Sequence, residues 1–133
     1  MASHEVRILS ITIGVPLARA YAFAHQPANF AQWAAGLAKT LHETEHGWVA
    51  DTPAGGATVR FSERNDHGVL DHWVQLEGKP EIYVPLRLIA NGDATEAELV
   101  LFRQPGMSDE DFARDAGMVQ ANLKALKKVL EDQ

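Results

Sequence analysis

Apolar and polar residues alternate along much of the chain, which is the pattern of strands with one buried face. Residues 5–15 place Leu9, Ile11 and Ile13 on one side and Thr12 on the other. The same alternation returns six times in the middle of the chain and predicts six further strands. They lie near residues 39–44, 46–52, 57–63, 68–76, 81–90 and 95–104.

Helical spacing appears in three places. A short helix is expected after Pro16, and a second from Pro27 to Gly36. The clearest helix follows Ser108, a good N-cap, and carries an apolar stripe at steps of three and four. The stripe consists of Phe112, Ala116, Val119, Leu123, Leu126 and Leu130. Strands in sequence with helices at both ends predict a single α+β domain over residues 1–133, in the order β-α-α-β6-α.

A hairpin joins the last two predicted strands. Asn91-Gly92 between two alternating runs is a strong two-residue turn signal. That turn would set Leu88 opposite Thr95 and Arg87 opposite Glu96. A slip of one residue would bury acidic side chains, so this register keeps the apolar positions on one face.

An acid stands beside a histidine in the apolar stretch GVLDHWVQL, residues 68–76. Successive side chains on a strand point to opposite faces, so Asp71 and His72 cannot converge on one substrate atom. A catalytic Asp-His pair is therefore excluded. His72 shares its face with Leu70 and Val74, so we expect the imidazole to point into the core.

Composition narrows the classes of function. The formal net charge is −6 with no basic cluster, so no field attracts nucleic acid or an anionic membrane. The chain has no cysteine, and His42 and His46 fall across a strand turn, so no metal site is expected. No apolar run approaches the roughly 18–20 residues that span a bilayer, and the start lacks a secretory signal. We expect a soluble cytoplasmic protein without a cofactor.

Two inward polar residues are the main candidates for a site. His72 could orient a ligand or transfer a proton near neutral pH, and its alternative is a core histidine satisfied by one hydrogen bond. Arg103, at the end of the last strand, could clamp an anionic group at the rim of a pocket. Its alternative is a salt bridge to Asp109 or Asp111.

The outer face of the predicted sheet carries charges and aromatic rings. The charges are more typical of a solvent-exposed ladder of cross-strand pairs than of a functional site. They are Asp71, Arg60, Arg87, Glu96 and Glu98. Trp73, Tyr83 and Phe102 on the same face suggest a surface for a partner or a second copy, although scattered exposed aromatic residues are common.

The order of elements resembles the helix-grip fold of the START-like, or SRPBCC, superfamily, and within it the bacterial polyketide cyclase-like branch. The stretches that carry the resemblance are VRILSITIGVPLARAYAFAHQPANFAQWA, GGATVRFSERNDHGVLDHWVQL, IYVPLRLIANG and LFRQPGMSDEDFARDAGMVQANLKALKKVL. It implies a curved antiparallel sheet of about seven strands around the C-terminal helix, with a cavity for a small apolar molecule between them. Val119 and Leu123 would form one wall, and inward strand residues such as Phe61 the other. The superfamily has no universal catalytic motif to carry over.

Three functions follow from these observations. The first is binding of a small apolar ligand whose polar end is oriented by His72 and Arg103. The second is a cyclase- or dehydratase-like enzyme in the same pocket, with His72 moving a proton and Arg103 stabilising an enolate. The third is an interaction module, such as a homodimer, that uses the outer Trp73, Tyr83 and Phe102. The sequence leaves open whether the protein is an enzyme.

Overall fold

A computed structural model describes residues 2–34, 40–52 and 55–133 and has the α+β architecture that the alternation predicts. The described residues form eight strands, two α-helices and one 3₁₀ helix. The strands are β1 (Val6–Ile13), β2 (His42–Thr44), β3 (Gly47–Thr52), β4 (Gly55–Phe61), β5 (His72–Leu76), β6 (Ile82–Val84), β7 (Leu86–Asn91) and β8 (Ala94–Phe102). The helices are α1 (Leu17–Ala24), the 3₁₀ helix Pro27–Gln32 and α2 (Asp109–Glu131). Within this part of the chain, no helix is long and apolar enough to cross a membrane.

The strands form one curved antiparallel sheet whose two halves meet beside β5. One half has the order β1-β8-β7, and the other has the order β2-β3-β4-β5-β6. They join where the segment before β5 runs against β7. There the N–H of Leu70 donates to the carbonyl of Leu86, and the N–H of Leu88 donates to the carbonyl of Gly68, both at 2.8 Å. β1 and β2 therefore lie at the two ends of the sheet.

The strand predicted over residues 81–90 is divided in two, so the sheet has eight strands rather than about seven. Pro85 separates β6 from β7, and proline has no N–H to donate across the sheet. In the register of β5 and β6, Pro85 falls opposite Asp71. The alternation conceals this break because the side chains on both sides of Pro85 keep the same period.

The last hairpin turns one residue later than predicted. Asn91 pairs with Ala94, so the turn residues are Gly92 and Asp93, and the prediction of an Asn91-Gly92 turn is wrong. Gly92 has a φ of 61°, whereas Asp93 does not have a positive φ. A glycine at the first central position is the arrangement of a II′ turn. The predicted partners are shifted by two residues, but an even shift leaves every side chain on its predicted face.

Other predicted boundaries also differ from the structure; for example, β5 begins at His72 and not at residue 68. β2 begins at His42, and residue 39 of the strand predicted over 39–44 lies outside the described residues. The second helix is a 3₁₀ helix, and its predicted end at Gly36 also lies outside them. β4 begins at Gly55, two residues before its predicted start at residue 57.

The long helix α2 packs its apolar stripe against the inward face of the sheet. It starts as predicted, because the Oγ of Ser108 accepts a hydrogen bond from the N–H of Asp111 at 3.1 Å. Five members of the stripe are buried, and Val119 is half-buried. Leu123, Leu126 and Leu130 share one core with inward residues of β1, β7 and β8. This core includes Ile13, Leu86, Leu88, Leu99, Leu123, Leu126 and Leu130.

Candidate functional site

A small cavity lies where α1 and the 3₁₀ helix meet the inward face of the sheet. Its volume is about 20 Å³, which is room for one group the size of a water molecule. The described residues that line it are Ala24, His25, Phe30, Trp33, Phe61, Ser62, Leu70, His72 and Leu86. Two of the predicted ligand-binding residues, His72 and Phe61, therefore meet here.

His72 is the polar centre of this cavity. Its side chain points inward as predicted and is 6% exposed. Its Nδ1 lies 3.1 Å from the carbonyl oxygen of Leu70, which can only accept, so Nδ1 carries the proton and donates. Burial lowers the pKa of His72, and the opposing effects of the Leu70 carbonyl and the Asp71 carboxylate are smaller. The imidazole is neutral at pH 7, and its Nε2 has no hydrogen-bond partner within the described part of the chain.

Aromatic rings surround the imidazole. The ring of Phe30 meets His72 edge-on with centroids 5.3 Å apart, and Phe61 meets Phe30 at the same distance. Trp33 stacks on Phe30 at 4.8 Å. The indole Nε1–H of Trp33 is buried and finds no acceptor among residues 2–34, 40–52 and 55–133. The cavity thus combines apolar walls with a free acceptor on His72, and one of its walls carries an unpaired donor.

A larger groove lies nearer the N-terminus of α1. Its volume is about 310 Å³, and it lies between α1 and the loop that connects β4 to β5. Its described lining residues are Leu17, Ala18, Tyr21, Ala22, Arg64, Asn65, Asp66 and Gly68. The loop is held in place because the backbone N–H of Asn65 donates to the hydroxyl of Tyr21 at 2.8 Å. The side-chain oxygen of Asn65 accepts from two further backbone N–H groups of the loop.

Arg103 lies elsewhere, where β8 ends and the chain turns toward α2. Its guanidinium donates to Glu5 at 2.9 Å, to Asp109 at 2.6 Å and to the carbonyl of Met107 at 2.7 Å. The hydrogen bond from Arg103 to Glu5 raises the pKa of Arg103 most, and the hydrogen bond to Asp109 raises it further. The alternative interpretation, a salt bridge to Asp109, is therefore confirmed. The described residues that line the cavity include His72 and do not include Arg103.

The two helix residues predicted to form a wall of the pocket belong to the core. Leu123 is fully buried among the apolar residues between α2 and the sheet. Val119 is half-buried against the same cluster. Neither is among the described residues that line the cavity, because α2 fills the space in front of the sheet with its own side chains.

The interpretation of Asp71 as part of a solvated ladder is wrong. Asp71 reaches the outer face, as predicted, but it is 5% exposed. Its carboxylate accepts from Nε and Nη2 of Arg87, both at 2.8 Å, from the hydroxyl of Tyr83 at 2.6 Å, and from the N–H of Leu86 at 3.0 Å. Burial alone would raise the pKa of Asp71, but these hydrogen bonds outweigh it and the pKa is lowered. The predicted pairing of Arg87 with Glu96 is also wrong.

The predicted interface residues form a stacked row on the outer face. Trp73 and Tyr83 stack at 5.3 Å, and Tyr83 and Phe102 at 6.3 Å. The guanidinium of Arg60 lies over Trp73, 4.1 Å from the ring centroid. Tyr83 is 39% exposed, and Ile8 on the neighbouring β1 is 61% exposed. We call these five residues the outer row. Its use as an interface remains a prediction.

Sequence reasoning missed most of the cavity wall. Phe30 and Trp33 follow Pro27 in the segment PANFAQW, and their spacing of three placed them on one face of a short helix. Nothing in the pattern indicated that this face would cover His72, because the contact is between segments far apart in the chain. In the described residues, no group of three or more His, Asp or Glu side chains is positioned to hold a metal ion.

Comparison with known proteins connects the fold to solved structures. No protein-family model matches the sequence, and no curated protein matches it. The chain is similar to XoxI from Bacillus cereus, with a TM-score of 0.76 and 17% identity over 96% of both chains. It is also similar to a START superfamily protein from Mycobacterium smegmatis, with a TM-score of 0.67 and 12% identity over 98% of this chain and 99% of that one.

A third similar structure has two domains. It is the di-domain ARO/CYC protein BexL of the BE-7585A biosynthetic pathway, with a TM-score of 0.69 and 15% identity. The match covers 96% of this chain and 46% of BexL, so this chain corresponds to about one of its two domains. At these identities the likeness establishes the fold alone, and the predicted helix grip is confirmed.

Proposed function

We propose that this chain, whose fold is the SRPBCC/START-like helix grip, binds a small apolar molecule that carries one hydroxyl group. The observation behind this proposal is the free Nε2 of a neutral, buried His72 inside an aromatic cavity. A hydroxyl donates one hydrogen bond and accepts others. It could therefore donate to Nε2 of His72 and, after a small rearrangement, accept from the Nε1–H of Trp33. Phe30 and Phe61 would contact the apolar carbon atoms next to it.

Native mass spectrometry of freshly purified protein tests this proposal. We expect a small molecule to remain bound to the wild type and to be released on denaturation. His72→Phe keeps the ring and removes the acceptor, so it should lower the affinity for the released molecule about tenfold, as expected for one lost hydrogen bond. His46→Phe, at an exposed position, is the matched control and should bind like the wild type. A wild type that carries no molecule, or an unchanged affinity in His72→Phe, would contradict the proposal.

Catalysis in the same cavity is the second candidate function. The observation that favours it is again His72, since a neutral imidazole with a free nitrogen is the form that acts as a general base. If His72 is the base, His72→Gln should lower the turnover of the bound molecule about a hundredfold. The lowered pKa of His72 adds a signature, because the base form persists below pH 6.5. Turnover that decreases in acid with a midpoint below pH 6.5 supports a base at His72, whereas turnover that His72→Gln leaves unchanged excludes it.

Association of two copies through the outer row is the third candidate. It rests on the exposure of Tyr83 and Ile8 beside a stacked aromatic surface. Sedimentation equilibrium should then show a wild-type dimer and a monomer in Trp73→Glu, with the far-UV circular dichroism unchanged. A wild type that sediments as a monomer at every concentration would leave the outer row without this role.

A further inference from the structure

The cavity beside His72 is too small to hold more than the polar end of a ligand. Its volume of about 20 Å³ is well below the roughly 300–1,000 Å³ of small-molecule sites. The groove nearer the N-terminus of α1 has about 310 Å³, which lies within that range. We propose that the groove is the outer compartment of the same site. In this arrangement an elongated ligand places its hydroxyl group at His72 and lays its apolar body along α1, so the inference rests on the proposed function.

The two compartments share both of their walls. On α1, Tyr21 lines the groove and His25 lines the cavity. On the opposite wall, Gly68 lines the groove and Leu70 lines the cavity. The rings of Tyr21 and His25 stack at 5.0 Å with an interplanar angle of 20°, so this pair stands between the compartments. A rotation of the His25 ring would join them without a change in the strands, because His25 is only half-buried and Tyr21 can keep its hydrogen bond to Asn65.

The groove also indicates the chemistry of the ligand's far end. Its floor is apolar, with Leu17, Ala18 and Ala22 from α1. Arg64 is at its rim, and its guanidinium forms no ion pair or hydrogen bond within the described residues. A free guanidinium beside an apolar floor favours a carboxylate or sulfonate on an apolar body. Asp66 also lines the groove and reduces this preference, so its removal should strengthen the binding of an anion.

Two fluorescent probes with the same apolar body test the proposal. 6-Hydroxynaphthalene-2-sulfonate is anionic, and 2-naphthol lacks the sulfonate; both carry a terminal hydroxyl group that can donate to His72. We expect Arg64→Gln to lower the affinity for the anionic probe about tenfold and to leave the affinity for the neutral probe unchanged. Asp66→Asn should strengthen the anionic probe about threefold. Arg114→Gln, which removes an exposed arginine of α2, is the matched control and should change neither. Ala18→Trp, which fills the groove, should weaken both probes.

His72→Phe separates this inference from the proposed function in the same titrations. If the ligand spans both compartments, His72→Phe weakens both probes while Arg64→Gln weakens only the anionic one. If His72→Phe lowers the affinity for both probes but Arg64→Gln and Ala18→Trp change neither affinity, the cavity binds ligand and the proposal of an outer compartment is wrong. If the Arg64 and Ala18 variants lose affinity but His72→Phe does not, the groove binds alone, and the proposal of one shared site is overturned. A wild type that binds neither probe overturns both proposals.

Discussion

At the scale of single residues, Asp71 supplies a hydrogen-bond acceptor where Pro85 interrupts the sheet. Pro85 offers no N–H, and the next backbone donor, that of Leu86, is bound by the carboxylate of Asp71 instead of by a strand carbonyl. The same carboxylate is paired with Arg87 and Tyr83, so all of its oxygen atoms are used. These hydrogen bonds stabilise the junction between the halves of the sheet, and they leave no free oxygen atom on Asp71 for chemistry.

We predict that Asp71→Ala lowers the free energy of unfolding by about 2 kcal/mol, since it leaves the Leu86 N–H buried without an acceptor. The loss of the Arg87 pair adds little, because half of the arginine side chain faces solvent. Urea denaturation measures the change. Glu81→Ala removes the acid of an exposed pair with Arg60, 3.4 Å long, and should cost less than about 0.5 kcal/mol. Equal losses in the two variants would contradict this account of Asp71.

The sequence predicted the face of each of these residues but not the depth at which they lie. Because successive side chains on a strand point to opposite faces, His72 was predicted to point inward and Asp71 outward, and the structure agrees. The burial of Asp71 depends on its neighbours Tyr83 and Arg87, which lie on β6 and β7 and cover it. No pattern in the sequence around Asp71 predicts that these two side chains will bury it. Likewise, Arg103 was expected in the pocket because its position continues the inward face of the last strand. The turn after β8 instead brings it to Glu5 and Asp109.

At the scale of elements, the junction of the two half-sheets depends on a glycine. Gly68 has a φ of 71°, and its carbonyl accepts the N–H of Leu88. A Cβ atom at this position would lie 2.1 Å from the carbonyl oxygen of Leu88. The segment before β5 can therefore approach β7 only where there is no side chain.

We predict that Gly68→Ala destabilises the protein by about 3 kcal/mol or more, because a strained φ and a backbone clash act together. Gly78→Ala is a matched control, since Gly78 has a φ of 75° and a methyl group there would meet no described atom within 4 Å. It should cost only about 1 kcal/mol for the positive φ. Urea midpoints of the two variants measure the difference. If both variants lose the same stability, close approach to Leu88 is not what requires the glycine.

At the scale of the whole molecule, the order of elements was enough to predict the α+β class and the helix grip. Long periodic segments such as α2 are defined by their own residues, so the apolar stripe from Phe112 to Leu130 was predicted correctly. The cavity was not, because it forms where α1, the 3₁₀ helix and three strands meet. Its small volume follows from Leu123 and its neighbours, which fill the space that the resemblance assigned to a ligand.

The stability of the whole molecule should fall as the pH decreases below 6.5, and Asp71 should add a second loss at lower pH. The pKa of His72 is lowered from 6.5 in the folded state, so below pH 6.5 the unfolded chain takes up this proton first and stability decreases. The decrease ends when the pH reaches the folded pKa. The pKa of Asp71 is lowered from 3.8, so its contribution is fully present above pH 3.8 and is lost as the pH falls through the folded value.

Variants assign each step to its residue when unfolding free energies are measured by urea denaturation across this range. His72→Phe should remove the His72 contribution to the slope just below pH 6.5, because phenylalanine takes up no proton in either state. Asp71→Ala should keep that slope and flatten the step below pH 3.8. His46→Asn, at an exposed position, should retain both. A His72→Phe variant whose stability decreases as steeply as the wild type just below pH 6.5 would show that a different group causes the first step, and that the imidazole at the centre of the cavity is not held neutral by its burial.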